Sequence, residues 1–233
     1  MLDRALREVS RRRVAGVLLE FGVHTGASIR RVARRWAERR FYGFDSFEGF
    51  PQDGRRDWQQ DFAVNALPEV PWNVELVQGW FRDTLPPFLE RVRGPIAFLH
   101  IDCDIYSSTH DVFTALEAAG RLQPGMVICF DDLLNYNGYL WNEMLALHEM
   151  LARTGFGIEW LGAHDRAYGL EDTLRFHETG TYPTWEQLRV RGYRQQAALV
   201  LTDHPTWTAT DLDTDLAHRF SELTQARTNE ASF

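Results

Sequence analysis

The stretch that decides the fold is residues 17–28, VLLEFGVHTGAS. Its first five residues form a short, mainly apolar run that is typical of a buried strand, and Gly22 ends that run. The next residues, 27–40, place their apolar side chains at the spacing of an amphipathic helix. The stretch therefore predicts a strand, a glycine turn and a helix in succession.

The same alternation continues along the chain. Further runs with strand character lie at 41–44, 74–77, 96–101, 126–130, 156–161 and 196–201. Helical patterns extend from about Ser108 to Gly120 and from Tyr139 to Arg153. Because most of the strands are apolar on both faces, they fit a parallel sheet that is covered on both sides. The sequence thus predicts a single α/β domain over 1–233, with a doubly wound, mostly parallel, seven-stranded sheet and helices on both faces.

Three segments do not follow this alternation. Long irregular segments in a compact domain are usually functional, so 51–73 is a candidate lid and 163–194 is a candidate lid or partner-binding insertion. The C-terminal tail, 203–233, carries apolar residues at helical spacing. It is expected to dock either on its own domain or on a second subunit, so a homodimer is one of two interpretations.

The overall composition restricts the class of protein. The 233 residues are 44% hydrophobic and 25% charged, as in soluble globular proteins, and no apolar stretch approaches the ~20 residues of a membrane span. The Arg-rich segment 4–13 is not followed by the apolar core of a signal peptide. A cytoplasmic protein that does not bind membranes is therefore expected.

The charged residues and the cysteines exclude several function classes. The formal net charge of −8 argues against binding to nucleic acid. All 25 basic residues are Arg, and without Lys neither a Walker phosphate loop nor a Schiff base is available. The two cysteines, Cys103 and Cys129, are flanked by apolar residues, so they are predicted to be buried thiols rather than a disulfide or a zinc site.

Residues that directly follow strands are the candidates for ligand binding, because ligands of open α/β sheets bind outside the carboxyl ends of the strands. Glu20, Gly22 and Gly26 surround the end of the first strand, where glycines let backbone amides approach a small ligand. Asp45 ends the second strand, where a carboxylate can accept hydrogen bonds from the two hydroxyls of a ribose. The alternatives are that the glycines form only a turn, and that Asp45 caps a helix or is solvated.

Four carboxylates, Asp102, Asp104, Asp131 and Asp132, follow the fourth and fifth strands. If those strands are neighbours, the carboxylates crowd one rim of the sheet and need a counter-ion or protons. An all-oxygen cluster selects a hard cation such as Mg²⁺, Mn²⁺ or Ca²⁺. The alternative is that the carboxylates cap the helices and turns after these strands. His100, two residues before Asp102, is predicted to be a core histidine whose hydrogen bonds are satisfied.

Five motifs occur in a recognisable order: 19–28 LEFGVHTGAS, 42–51 YGFDSFEGFP, 77–86 VQGWFRDTLP, 100–109 HIDCDIYSST and 130–132 FDD. Together they resemble the class I S-adenosylmethionine-dependent methyltransferases of the macrocin and mycinamicin sugar O-methyltransferase type. The resemblance covers about residues 15–160 and returns at 195–201. It implies a Rossmann-like sheet, S-adenosylmethionine as the cofactor and a divalent metal ion, Mg²⁺ or else Mn²⁺ or Ca²⁺.

The resemblance also implies roles for individual residues. The methionine end of the cofactor would be lined by Glu20, Gly22, His24, Gly26 and Ser28. The ribose would be held by Asp45 and Ser46, and the adenine would lie near Phe47, Gly79, Trp80 and Phe81. The implied metal ligands are Asp102, which also borders the cofactor, Asp131 and Asp132. Asp104 is at the position of a general base for the acceptor hydroxyl.

Residues and resemblance together predict a metal-assisted O-methyltransferase of a small hydroxylated metabolite, either a sugar or a natural-product scaffold. One alternative is a metal-independent transferase to nitrogen or to a carboxylate, in which the acidic cluster only orients the substrate. A second is an NAD-linked oxidoreductase, although the glycine loop lacks the G-x-G-x-x-G spacing of that class. A third is a cofactor-binding module without catalysis.

Overall fold

A computed structural model of the chain describes residues 1–51, 62–134, 136, 138–163 and 195–203. Residues 52–61 of the predicted lid, most of the predicted insertion and nearly all of the C-terminal tail lie outside this part of the chain. The two interpretations of the tail therefore stay predictions.

The described residues form one sheet of seven strands, as the sequence predicts. The strands are β1 Val17–Phe21, β2 Phe41–Asp45, β3 Val74–Gln78, β4 Ile96–Ile101, β5 Val127–Phe130, β6 Gly157–Ala163 and β7 Ala197–Thr202. Their spatial order is β3-β2-β1-β4-β5-β7-β6. The five strands β3, β2, β1, β4 and β5, which are neighbours in this order, are parallel to one another, and β7 runs antiparallel to both β5 and β6. This arrangement confirms the predicted doubly wound, mostly parallel sheet.

In the described part of the chain, five α-helices and one 3₁₀ turn accompany the sheet. They are α1 Leu2–Arg11, α2 Ala27–Arg35, α3 Phe81–Arg91, α4 Tyr106–Ala118, the 3₁₀ turn Tyr139–Trp141 and α5 Glu143–Thr154. The sequence analysis does not predict α1, in which charged residues lie between the buried apolar positions, or α3, which contains Pro86 and Pro87. Within the described ranges, every helix is too short or too polar to traverse a bilayer.

The sheet separates two layers of core. On one face, α3, α4 and α5 pack against alternate residues of the central strands, among them Phe21, Ile101 and Phe130. On the other face, α1 and α2 pack against the intervening residues, such as Leu18 and Phe98. Both cysteines are buried free thiols, as predicted. Successive strand residues therefore point to different layers, and this alternation decides which side chains share a site.

The strand register brings the ends of the four central strands to one level. Phe21 lies opposite both Phe44 of β2 and Ile101 of β4. The hydrogen-bond ladder continues one residue beyond the strands, because the N–H groups of Gly22, Asp102 and Asp131 donate to carbonyls of the neighbouring strands, each at 2.9 Å. A row of strand-end residues, Asp45, Gly22, Asp102 and Asp131, thus crosses the adjacent strands β2, β1, β4 and β5.

The helix α2 ends at Arg35, earlier than predicted, and Asn73 satisfies carbonyl groups at this end. The buried side-chain amide of Asn73 donates to the carbonyl oxygens of Ala33 and Arg39, both at 3.0 Å, and of Trp36 at 3.4 Å. Carbonyls at a helix C-terminus lack partners within the helix, so this amide satisfies groups that would otherwise be buried and unpaired.

We expect Asn73→Ala to lower the free energy of unfolding by about 2–3 kcal/mol, because it leaves buried carbonyl oxygens without a donor. Urea denaturation measures this change. The control Arg34→Ala, an exposed position on the same helix, should change the free energy by less than about 0.5 kcal/mol. Equal stability of the two variants would contradict the assignment.

Candidate active site

A cleft of about 1050 Å³ opens at the carboxyl edge of the sheet. Most of the predicted site residues line it, namely Gly22, His24, Ser28, Asp45, Ser46, Trp80, Phe81, Asp102, Asp104 and Asp131. The predicted residues outside its lining are Glu20, Gly26, Phe47, Gly79 and Asp132. Two described residues of the candidate lid, Pro51 and Phe62, also border the cleft. The lining gathers residues far apart in sequence, because parallel strands end at the same edge of the sheet.

Only glycine fits at Gly22. Its φ is +92°, and a Cβ at this position would lie 1.8 Å from the carbonyl oxygen of Asp102. The backbone of the loop after β1 therefore touches the backbone of the loop after β4. Gly26, with φ +76°, is buried at the start of α2, where a Cβ would come within 2.9 Å of a neighbouring side chain. Gly26 thus contributes to the conformation of the turn but does not line the cleft, whereas Gly22 and His24 border the cleft.

Asp45 connects this glycine turn to the loop after β2. Its Oδ2 accepts the backbone N–H groups of Val23 at 2.8 Å and His24 at 2.7 Å, and its Oδ1 accepts that of Phe47 at 2.7 Å. A carboxylate offers about four lone-pair sites, so Asp45 retains capacity for a further hydrogen bond. Asp45 is therefore an anchor of the turn as well as a candidate ligand group at the cleft.

The predicted adenine residues divide into two groups. Phe47 is only 5% exposed and, with φ +60°, turns into the core. Gly79 has φ +132° and a position that allows no side chain, since a Cβ would approach a neighbouring side chain to 2.7 Å. Trp80 and Phe81 do border the cleft, and the Phe81 ring packs edge-on against Phe21 with 5.4 Å between ring centroids. Trp80 and Phe81 are therefore the better candidates for contact with a ring.

Glu20 and His100 form a buried pair next to the cleft. His100 Nδ1 lies 3.0 Å from Glu20 Oε2, and the Ser28 hydroxyl donates to Glu20 Oε1 at 2.7 Å. Burial disfavours the charged imidazole, but the carboxylates of Glu20, Asp102 and Asp131 together raise the pKa of His100 to about 9. His100 Nε2 is buried and has no hydrogen-bond partner in the described part of the chain. The prediction of a fully satisfied core histidine therefore holds for only one of its two nitrogens.

A first group of metal-ligating atoms comprises one atom each from His100, Asp102 and Asp131, all within 4.8 Å of one another. Burial, and next the repulsion from Asp131, raise the pKa of Asp102 well above its usual value. The Gln196 side-chain amide donates a hydrogen bond to Asp131 Oδ1. Like charges this close take up a proton or bind a cation, so the donor set fits a divalent ion.

A second group comprises Asp104, Asp132 and Glu143. Burial, and next the proximity of Asp104, raise the pKa of Asp132, which shares a side-chain hydrogen bond with Asp104. Asp132, which the resemblance implies as a ligand together with Asp102 and Asp131, is not among the three residues of the first group. Asp131 and Asp132 are consecutive residues of the bend that follows β5, and only Asp131 contributes an atom to the first group.

Sequence reasoning missed His100 as a group facing the cleft, and also Gln196 and Glu143. The position of His100, two residues before Asp102 on one strand, contained a signal, because the two side chains must share a face. Gln196 pairs with Asp131 across the antiparallel β5 and β7, and Glu143 lies on α5. Neither contact has a local sequence pattern, since each depends on which elements become neighbours.

The chain has relatives among methyltransferases. Residues 19–133 match the family of methyltransferase domains. A protein of Streptomyces olivaceus, 8-demethyl-8-(2,3-dimethoxy-alpha-L-rhamnosyl)-tetracenomycin-C 4'-O-methyltransferase, is 33% identical over 144 residues, or 51% of this chain. The chain spans about half, 53%, of the length of that relative.

Two solved structures share the fold. The calicheamicin methyltransferase CalS11 is 28% identical, with a TM-score of 0.52 over 70% of this chain and 74% of CalS11. The O-methyltransferase NovP is 25% identical, with a TM-score of 0.52 over 68% of this chain and 72% of NovP. These similarities agree with the mostly parallel sheet. Residues 19–133, which begin within β1, are therefore similar to the methyltransferase domain family.

Proposed function

We propose that this protein is an S-adenosylmethionine-dependent, divalent-metal-assisted O-methyltransferase that acts on a hydroxyl group of a small metabolite, a sugar or a natural-product scaffold. The observation that carries the proposal is the row of strand ends, in which the glycine turn at Gly22 directly adjoins the acidic residues Asp102 and Asp131 at one cleft. The Streptomyces olivaceus relative, named for transfer to an oxygen of a rhamnosyl compound, supports the choice of acceptor class.

The cofactor is assigned to the half of the cleft that β1, β2 and α3 border. S-adenosylmethionine supplies a methyl group on a sulfonium, which is already electrophilic, so the chain mainly has to align an acceptor with it. Asp45 and Ser46 are assigned to the ribose, Trp80 and Phe81 to the adenine, and Gly22, His24 and Ser28 to the methionine end. Glu20 does not border the cleft and is assigned to holding the Ser28 hydroxyl through their hydrogen bond. Gly26, Phe47 and Gly79 are assigned to the backbone conformation of the loops that follow β1, β2 and β3.

The metal ion is assigned to Asp102 and Asp131. Their carboxylates and the unpartnered Nε2 of His100 converge on one place, which suits a hard divalent cation, with a nitrogen as a further potential donor. A divalent ion bound there would lower the pKa of an acceptor hydroxyl. Asp132 is the third ligand that the resemblance implies, and its hydrogen bond to Asp104 makes it the weakest member of the proposed set.

Asp104 is proposed as the general base. It borders the cleft at the end of β4, beside the proposed metal ligands. Burial, and next the proximity of Asp104, raise the pKa of Asp132, which shares a side-chain hydrogen bond with Asp104. In the proposal, Asp104 takes the proton from the acceptor hydroxyl.

We expect Asp104→Asn to lower kcat by roughly 10²-fold or more, because an amide cannot accept the hydroxyl proton. The affinity for S-adenosylhomocysteine, measured by calorimetry, should stay within about twofold, since Asp104 is assigned to the acceptor. Transfer is measured with radiolabelled S-adenosylmethionine and a panel of glycosides and catechols. The control Asp83→Asn removes an exposed carboxylate on α3 and should retain activity. Equal activity of the two variants would remove Asp104 from the mechanism.

Removal of divalent ions with EDTA should abolish transfer, and Mg²⁺ or Mn²⁺ should restore it. Asp131→Asn should raise the Mg²⁺ concentration needed for half-maximal activity by about tenfold or more, because it removes one charged ligand. The measurement is a Mg²⁺ titration of initial rates for both proteins. Full activity after chelation would exclude the metal assignment and favour the metal-independent transferase.

The metal-free protein should lose stability as the pH rises. The pKa of His100 is raised from 6.5 to about 9 in the fold, so its contribution is complete below pH 6.5 and is lost as the pH approaches 9. This loss amounts to about 3 kcal/mol. Urea denaturation across this pH window measures it, and His100→Gln should show a correspondingly shallower decrease than the wild type. Parallel stability curves for the two proteins would contradict a charged His100.

A further inference from the structure

We propose that Glu143 is a positioning residue for the reaction. Its buried carboxyl group accepts hydrogen bonds from the turn that carries Asp104, and these bonds hold the turn in the conformation that directs the Asp104 side chain toward the cleft. The inference rests on the proposed function, because Asp104 is the general base in that proposal. It concerns a side chain outside the cofactor and metal assignments.

The turn after β4 has a conformation that needs support. Asp104 has φ +60°, a left-handed conformation that residues other than glycine rarely adopt. The N–H of Ile105 donates to the carbonyl of Cys103 at 2.6 Å, so the turn closes over Asp104 within three residues. A conformation of this kind costs about 1–3 kcal/mol and persists only where its surroundings determine it.

Glu143 holds the turn in this conformation. Its Oε1 accepts the N–H of Cys103 at 3.4 Å and the N–H of Asp104 at 3.2 Å. The side chain is fully buried. One oxygen therefore fixes the orientation of two successive peptide groups, and these peptide groups determine where the Asp104 side chain leaves the backbone.

Glu143 is itself firmly held. It is the first residue of α5, whose residues Met144, Leu147 and Met150 are all buried in the core that also contains α4. A group on a packed helix keeps its place more accurately than a group on a loop. The helix thus connects the rigid core to the turn through a single carboxyl group.

Stability alone does not explain a carboxyl group at this position. A buried carboxyl group is less favourable than an apolar side chain of similar volume, and Glu143 Oε2 has no hydrogen-bond partner within the described ranges. Burial, and next the proximity of Asp104, raise the pKa of Glu143, and its Oε1 acts as a hydrogen-bond acceptor. Gln has the same shape and keeps an acceptor oxygen, whereas Met keeps the volume and lacks one.

The test compares Glu143→Met with Glu143→Gln. We expect Glu143→Met to lower kcat by about tenfold or more while the affinity for S-adenosylhomocysteine stays within about twofold. In the cofactor-free protein, hydrogen exchange at the amides of Cys103 and Asp104 should become about tenfold faster, because both lose their acceptor. Glu143→Gln should restore protection of these amides and most of kcat.

The matched control is Leu147→Ala, a buried position on the same helix. It should lower the free energy of unfolding, yet leave kcat and the protection of the two amides unaffected under conditions where the protein is folded. This control separates positioning of the turn from a general loss of stability.

Unchanged kcat and unchanged amide protection in Glu143→Met would overturn the proposal, and so would a Glu143→Gln variant as impaired as Glu143→Met. If Glu143→Met does not fold, Glu143→Asp withdraws the oxygen by one methylene, and normal protection of the two amides in that variant would equally overturn it. If the wild type transfers no methyl group, the proposed function fails, while the exchange measurement still decides whether Glu143 holds the turn.

Discussion

Gly22 and Asp102 meet backbone to backbone at the centre of the sheet, in a contact with no room for a side chain. A Cβ on Gly22 would lie 1.8 Å from the Asp102 carbonyl oxygen, and the φ of +92° at Gly22 excludes most other residues as well. The ladder hydrogen bonds at the same level fix Asp131 on the far side of Asp102. The loop assigned to the cofactor and the loop that carries the acidic residues are therefore one rigid unit, and in the proposed reaction the strand register would align a methyl donor with its acceptor.

The acidic residues of this unit divide between the two faces of the sheet, and each face favours a different chemistry. On one face, Asp102 and Asp131 lie with the Glu20–His100 pair, and their mutual repulsion favours a cation. On the other face, Asp132 and Glu143 lie near Asp104, and burial, followed by the proximity of Asp104, raises the pKa values of both. In the proposed function, the ligands Asp102 and Asp131 and the base Asp104 therefore belong to different faces of the sheet.

Much of this arrangement was predictable from the sequence, because it depends on the strands and on the residues at their carboxyl ends. Apolar runs fix the strands, and parallel strands bring Asp45, Gly22, Asp102 and Asp131 to one edge. The sequence did not indicate that Asp131 joins His100 and Asp102 while Asp132 contacts Asp104, because these contacts depend on the backbone conformation after β5. Likewise Glu143 belongs to a helical pattern whose polar position gives no sign of burial, and its role exists only once α5 packs beside the turn. The helix α3 was missed because Pro86 and Pro87 are poor local indicators of a helix, yet tertiary packing retains it.

The most direct measurement is a crystal structure grown with S-adenosylhomocysteine and Mn²⁺, with anomalous scattering recorded for the metal. We predict the ribose beside Asp45, the thioether at the Gly22 turn and one anomalous peak in contact with the carboxylates of Asp102 and Asp131. A nucleoside bound elsewhere, or saturating Mn²⁺ that leaves these carboxylates without a peak, would contradict the proposed site.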